Sequence, residues 1–424
     1  MSEDTTNAAA GSATVEPPPV PLRRNADFIR LWLGAGISRF GSTVGMVAYP
    51  LLALWYTGSP TATGLVSFAA ALPNFLVQLP AGALVDRLDR RKLMLWCDIL
   101  GGLAIASVAV AVSLGHVWIP HLMVAAFLEI TRGIFYDLAE RATVRNVVPP
   151  EQLSAALAQN EARGYAIGLV GQPGSALLFT IGRWIPFAFT AVADVVAVVC
   201  VLLIRRSFRP TVTGPQAKLH IEIKEGMVWL WRHKIARILS GMFAGSNLVF
   251  QVLSLAVMVI IRDNGDSPTV VGIVTAVGGI GGFCGALVAP RWNKRVSLHR
   301  TLAVGYAVWT LLVPLVAFVR SPVALAALLA GIAFVTSVFS VAAWTFQVQN
   351  TPDELQGRVN GTGRFLASGA NALGALVGGF LLEKAGVTWT GVLLGGAVLL
   401  ITLAVASSAT LRAEAHSDGP DQTT

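Results

Sequence analysis

The chain has 424 residues, of which 54% are apolar and only 13% charged. With a mean hydropathy of +0.66, an ordinary soluble domain is excluded and lipid is the principal solvent. The formal charge of +8 is spread between apolar runs rather than gathered on one basic face, which removes the nucleic-acid reading that a basic chain invites. Cys97, Cys200 and Cys284 lie singly in apolar runs without CxxC or Cys/His spacing, so neither a disulfide framework nor a metal site is expected.

Residues 1–24 are rich in Ala, Thr, Ser and Pro, with Glu3, Asp4 and Glu16, and have neither the basic region nor the apolar stretch of a signal peptide. They are expected to form a disordered cytoplasmic tail, as are residues 411–424. Between them, runs long enough to cross about 30 Å of hydrocarbon as helices fall at 30–56, 64–85, 93–114, 119–141, 162–182, 185–204, 237–261, 269–289, 301–319, 322–346, 363–383 and 387–408. None alternates as a barrel strand does. The expected fold is therefore an all-α membrane protein with twelve transmembrane helices.

With the N-terminus in the cytoplasm, 25 Lys and Arg residues fall on inward segments and 4 (Arg183, Arg262, Arg320 and Lys384) on outward loops. That bias predicts cytoplasmic termini and an inner-membrane location. The longest polar interruption divides the spans six and six: 25–206 is expected to be an N-terminal bundle, 207–236 a cytoplasmic linker and 237–410 a C-terminal bundle. The linker's Glu222 to Arg237 stretch is amphipathic and reads as an interfacial helix. Gly82-Ala83-Leu84-Val85 recurs 203 residues later as Gly285-Ala286-Leu287-Val288. In the same register Arg91 and Lys92 match Lys294 and Arg295. Two parallel six-helix pseudo-repeats, with a site near the midplane between them, are the architecture of a secondary transporter.

The run Gly82-Ala-Leu-Val-Asp86-Arg87-Leu-Asp89-Arg90-Arg91-Lys92 resembles the loop signature that follows the second helix in the major facilitator superfamily. The first-helix sequences GISRFGS and PLLALWYTGS resemble the macrolide-efflux and enterobactin-exporter branch. Two positions depart from those patterns: Asp89 stands where the signature has a glycine, and Ser42 where the branch often has an acid. The resemblance implies a secondary active transporter, with export as its direction. Within the signature, Gly82 admits a close helix neighbour, and Asp86 near a helix C-terminus needs positive compensation. Arg87, Arg90 and the N-terminus of the eleventh helix, read as beginning near Gly361 to Arg364, are the expected sources. A cytoplasmic latch of Gly82, Asp86, Arg87, Arg90, Arg91, Asp137 and Glu140 follows, closed when the cavity faces outward. The alternative is a solvated basic loop. Gly168 and Pro173 partly match a fifth-helix exporter signature, and a plain kink is the alternative there.

Charges at bilayer depth cost roughly 2.5–3.5 kcal/mol each on insertion scales and are functional candidates by default. Glu129, Arg132, Asp194 and Arg39 are the candidates for proton coupling, with Asp98 read as shallower. Glu129 and Arg132, at i and i+3, share a face and are expected to pair. Either the pair moves protons or it is a static tie within the fourth helix. Phe40, Tyr49, Phe135, Tyr165, Asn247, Gln251, Trp344 and Gln347 are candidates for the cargo cavity, although aromatics in spans often face lipid instead.

No GxxxxGK[ST] loop and no HExxH site is present, so a nucleotide-driven pump or a membrane enzyme finds no support. The expected function is proton-coupled antiport exporting a hydrophobic or amphiphilic small molecule: a drug, an antibiotic or a siderophore-like metabolite. No cofactor is expected; the partners are that molecule, protons and the bilayer, with no nucleic acid, and the chain is expected to act as a monomer. An importer of the same fold and a non-transporting receptor or scaffold are the alternatives.

Overall fold

Apolar runs of this length leave the backbone no hydrogen-bonding partner but itself, and every crossing is helical. The computed structural model describes residues 21–85, 87–204, 228, 231–351 and 353–408. The expected amphipathic helix of the linker falls largely outside the described residues. The first half contains α1 (Ala26–Thr57), α2 (Pro60–Leu76), α3 (Gln78–Val85), α4 (Arg90–Ser113), α5 (Ile119–Val147), α6 (Leu153–Ile181) and α7 (Ile185–Leu202). The second contains α8 (Lys234–Asp263), α9 (Pro268–Asn293), α10 (Leu298–Leu315), α11 (Pro322–Asn350) and α12 (Asp353–Ser407).

These elements make the twelve expected crossings. α2 and α3 are one crossing broken at Val77, where Pro80 has no N–H to offer the carbonyl of Leu76. α12 is two crossings, turned at Gly386 by a left-handed φ of 72°. Among the described residues eight helices are individually long and apolar enough to span a membrane. α5 falls short because it carries Glu129 and Arg132, and α6 because glycines with Gln172, Pro173 and Ser175 lower its hydropathy.

Local signals set the ends. The Asn25 side chain accepts from Phe28 N at the start of α1, which Gly58 closes with φ 74°. Ser59 caps α2 ahead of Pro60. Asp89 accepts from the backbone N–H groups of Arg91 and Lys92 and caps α4, so the residue that replaces the signature's glycine starts the third crossing. Several helices run past the expected spans; α6 begins at Leu153 rather than near 162, and α12 at Asp353 rather than near 363.

Side chains sort by helical period. On α4, Trp96, Leu100 and Leu103 are exposed on the lipid side, while Met94, Asp98, Gly101 and Ile105 are buried on the other. In the first half α1 packs on α6 and α7, and α4 on α5 and α7; in the second, α9 packs on α11 and α8 on α12.

The halves meet where α2 crosses α12 and α6 crosses α9. The first crossing is backbone against backbone: a Cβ built on Gly64 would lie 2.7 Å from Gly379 Cα and 2.6 Å from the Ala375 carbonyl oxygen. Polar clasps cluster at the face away from the chain termini. Ser59 Oγ donates to Glu383 at 2.6 Å, Thr61 N to the same carboxylate at 2.9 Å and Arg262 to Gly58 O at 3.3 Å, while the Thr180 and Thr269 hydroxyls are 2.8 Å apart. The halves are thus closed at the distal face, and a cavity lies between them toward the face that carries the termini.

Candidate functional site

Six polar side chains from four helices converge inside the first half. Arg132 of α5 sits 2.6 Å from Glu129 Oε1, 3.1 Å from Asp98 Oδ1 of α4 and 3.0 Å from Asp194 Oδ1 of α7. Its guanidinium also donates to Ser38 Oγ of α1 at 3.0 Å. One turn along α1, Ser42 Oγ donates to Glu129 at 2.8 Å. The three carboxylates have 0% side-chain exposure and Arg132 5%. Gly101 makes this geometry possible, since a Cβ there would overlap the Arg132 side chain.

Fully ionised, three carboxylates around one guanidinium leave two negative charges uncompensated. Hydrogen bonds soften this only partly: among the described residues, Asp98 Oδ2 and Asp194 Oδ2 are buried without a donor.

Arg132, Ser38 and Ser42 also form one wall of the central cavity, of about 470 Å³. Arg39, Thr43, Met46, Ile130, Ile134, Asp137 and Arg141 continue that wall, and Asn74, Gln78 and Arg364 close it. The last three also line a second lobe of about 300 Å³, with Asn247, Ser368 and Asn371. The two lobes form one space between the halves, built largely on helices, which is where transporter folds place their cargo.

Glu129 and Arg132 pair as their spacing suggested, and Asp194 and Asp98 join them: α4 begins at Arg90, so Asp98 is two turns deep, and it is 1% exposed. Arg39 stands apart, donating to Asp137 at 2.7 Å within the cavity. The expected latch residues are dispersed in this conformation. Asp86 lies outside the described residues. Nothing described comes within 4 Å of a Cβ built on Gly82, because the halves are apart on that side. Arg87 is exposed in the turn between α3 and α4. Arg90 donates to Ala142 O and Asn146 Oδ1, and Arg91 to the carbonyls of Val201 and Leu202. Asp137 faces Arg39, and Glu140 takes Arg163 at 2.6 Å, so neither acid pairs with the signature arginines.

Of the expected cavity residues only Asn247 lines the space. Tyr49 is buried edge-on against Phe187, Phe40 packs edge-on against Phe189, and Phe135 packs against the core of the first half. Tyr165 and Trp344 are exposed and line neither lobe. Gln251 accepts from Asn371 at 3.2 Å, and Gln347 donates to Asn360 beside a separate pocket near Arg232 and Phe346. The expected aromatic residues went to packing and the exterior, and the cavity is lined by amides, hydroxyls and arginines, with Tyr136 and an apolar wall of Met46, Ile130, Ile134 and Leu138. Ser38, Ser42, Asn74, Gln78 and Arg364 were not anticipated. The i, i+4 spacing of the two serines toward Glu129 was the available signal.

Comparisons with known proteins agree with this fold. The family described as transmembrane secretion effector matches residues 18–422. The multidrug efflux pump Tap of Mycolicibacterium fortuitum is 25% identical over 374 residues, covering 85% of this chain and 90% of that protein. Macrolide efflux protein A of Streptococcus pyogenes is 26% identical over 224 residues, 51% of this chain and 53% of that one. The crystal structure of the nucleoside transporter NupG superposes with a TM-score of 0.68 over 91% of this chain and 98% of that chain, at 12% identity. With twelve crossings in two halves and a match along nearly its whole length, the chain belongs to the transmembrane secretion effector family of major facilitator transporters.

Proposed function

We propose that this multi-pass protein is a proton-coupled antiporter of the inner membrane, with both termini in the cytoplasm, which exports an amphiphilic small molecule of the drug or antibiotic kind. The observation that carries the reading is the excess of buried carboxylates around Arg132, one side of which is cavity wall. A proton on Glu129, Asp98 or Asp194 relieves part of the charge imbalance. Cargo entering beside Ser38, Ser42 and Arg132 changes the guanidinium's partners and the hydration of the cluster. Occupancy of the cavity and protonation of the cluster then exclude one another, which is the requirement for antiport. The named activities of the multidrug, macrolide and bacilysin exporters among the relatives support export as the direction, and the Lys/Arg bias of the loops supports the orientation.

Glu129→Gln keeps the size of the side chain and removes its carboxylate. In proteoliposomes, cargo-driven proton movement is expected to fall to the background of empty liposomes while cargo binding persists. Proton movement at the wild-type rate in this variant would overturn the assignment.

A further inference from the structure

The proposed coupling leaves one cavity cation unused. Arg364 lies about 16 Å along α12 from its start at Asp353, at roughly 1.5 Å per residue. It is therefore no loop residue; its neighbour Phe365 stacks on Phe75 of α2 with ring centroids 4.3 Å apart. Its side chain lines both lobes of the cavity. The other cavity arginines are matched: Arg39 by Asp137, Arg132 by three carboxylates, and Arg141, at 3.8 Å, by Glu161. Among the described residues Arg364 has no carboxylate within ion-pair distance. A guanidinium on a cavity wall with no carboxylate beside it among the described residues is a ready partner for an anion that enters the cavity.

What surrounds Arg364 narrows that something. Asn74 and Gln78, on either side of the break between α2 and α3, face it from the first half. Ser368 and Asn371 follow on the same side of α12, and Asn247 reaches in from α8. These groups hydrogen-bond uncharged polar atoms and add no charge. Met46, Ile130 and Ile134 supply an apolar wall on the other side of the larger lobe. The acids that would attract a cation, Glu129, Asp98 and Asp194, are fully buried behind Arg132 and do not line the space.

We propose that the cavity takes an amphiphilic carboxylate, with its anionic group on Arg364, its amide or hydroxyl groups on the Asn74, Gln78 and Asn371 side, and its apolar body against Met46, Ile130 and Ile134. The assignment rests on reading this cavity as the cargo site, and deepens it by naming the charge of the cargo. Arg364 is a specificity-determining residue, separate from the proton-coupling cluster.

The test uses the full chain in nanodiscs of zwitterionic phosphatidylcholine, so that the anion comes only from the probe and not from a lipid headgroup. Three probes share one acyl tail: N-octanoylglycine, its methyl ester and octanoylcholine. Binding is followed as a saturable rise in the thermal unfolding midpoint by tryptophan fluorescence. Only the carboxylate is expected to bind. Arg364→Gln is expected to weaken it at least about tenfold, as loss of a desolvated charge partner does, and Arg364→Lys to retain most of the affinity. The proposal is overturned if the ester or the choline derivative binds as well as the acid, if Arg364→Gln binds the acid like wild type, or if none of the three binds. Should Arg364→Gln not fold, the comparison of the three probes on the wild-type chain decides alone. No proton gradient is applied, so failure of the coupling assignment leaves this result standing, and the reverse.

Discussion

Arg132 reaches three helices because Gly101, on the facing surface of α4, has no side chain. A methyl group there must displace the guanidinium or push α4 away from α5. Overpacking of this kind typically costs about 1–3 kcal/mol, and moving Arg132 also leaves buried carboxylates unpaired. Gly101→Ala is therefore expected to lower the thermal unfolding midpoint and to remove cargo-driven proton movement. A midpoint equal to that of wild type, measured by circular dichroism in detergent, would show that Arg132 does not need this space. At this scale the sequence was partly legible. The i, i+3 spacing of Glu129 and Arg132 announced their pairing, whereas Asp98 looked shallow because the start of α4 was placed at 93 rather than Arg90. Arg39 looked equivalent to Arg132 in depth, yet it lies on another face of α1 from Ser38 and Ser42 and meets Asp137 in the cavity. Depth can be estimated from position along a span, but azimuth on a helix without a strong apolar stripe cannot.

The crossing of α2 and α12 brings two elements into backbone contact at Gly64 and Gly379, and fastens them at the distal end through Glu383. That carboxylate accepts from Ser59, the cap of α2, and from the Thr61 N–H in its first turn, where a helix favours negative charge. The side chain is exposed, so the contribution is modest, about 0.3–1 kcal/mol for a charge at a helix terminus. Glu383→Gln keeps the shape and removes the charge. It is expected to raise the fraction of molecules open at the distal face by roughly two- to fivefold, since 1.4 kcal/mol is a factor of ten. The rate at which a membrane-impermeant maleimide labels a cysteine introduced at Ala176, buried against Gly272 between α6 and α9, reads this fraction; a labelling rate identical to the Glu383 parent would count against the clasp. The small-residue run Gly374 to Gly379 packs against Leu248 and Val252 of α8 as well as Gly64 of α2. Which neighbours it would meet was not visible, because small residues record that something is close without recording what.

At the scale of the molecule, the twelve crossings followed from hydropathy and length alone, since lipid leaves the backbone so few options. The conformational state did not, since the same two bundles are compatible with a cavity open at either face and the difference rests on contacts worth little individually. Here the distal ends of α6 and α9 touch through Thr180 and Thr269, whose hydroxyls are 2.8 Å apart. That spacing suits a cystine, in which the sulfurs lie about 2.05 Å apart. If transport needs the halves to separate at this face, joining α6 to α9 there stops it, however well cargo binds from the other side. A chain with Thr180→Cys and Thr269→Cys, in a background where Cys97, Cys200 and Cys284 are replaced by serine, is expected to lose transport on mild oxidation and regain it with dithiothreitol. Binding of N-octanoylglycine from the terminal face should survive the oxidation, because the cavity wall of α1, α5 and α12 is untouched by the bridge. Full transport by the oxidised, cross-linked protein would mean that cargo crosses without opening the distal face, and rocking of the two halves about the cavity would have to be abandoned.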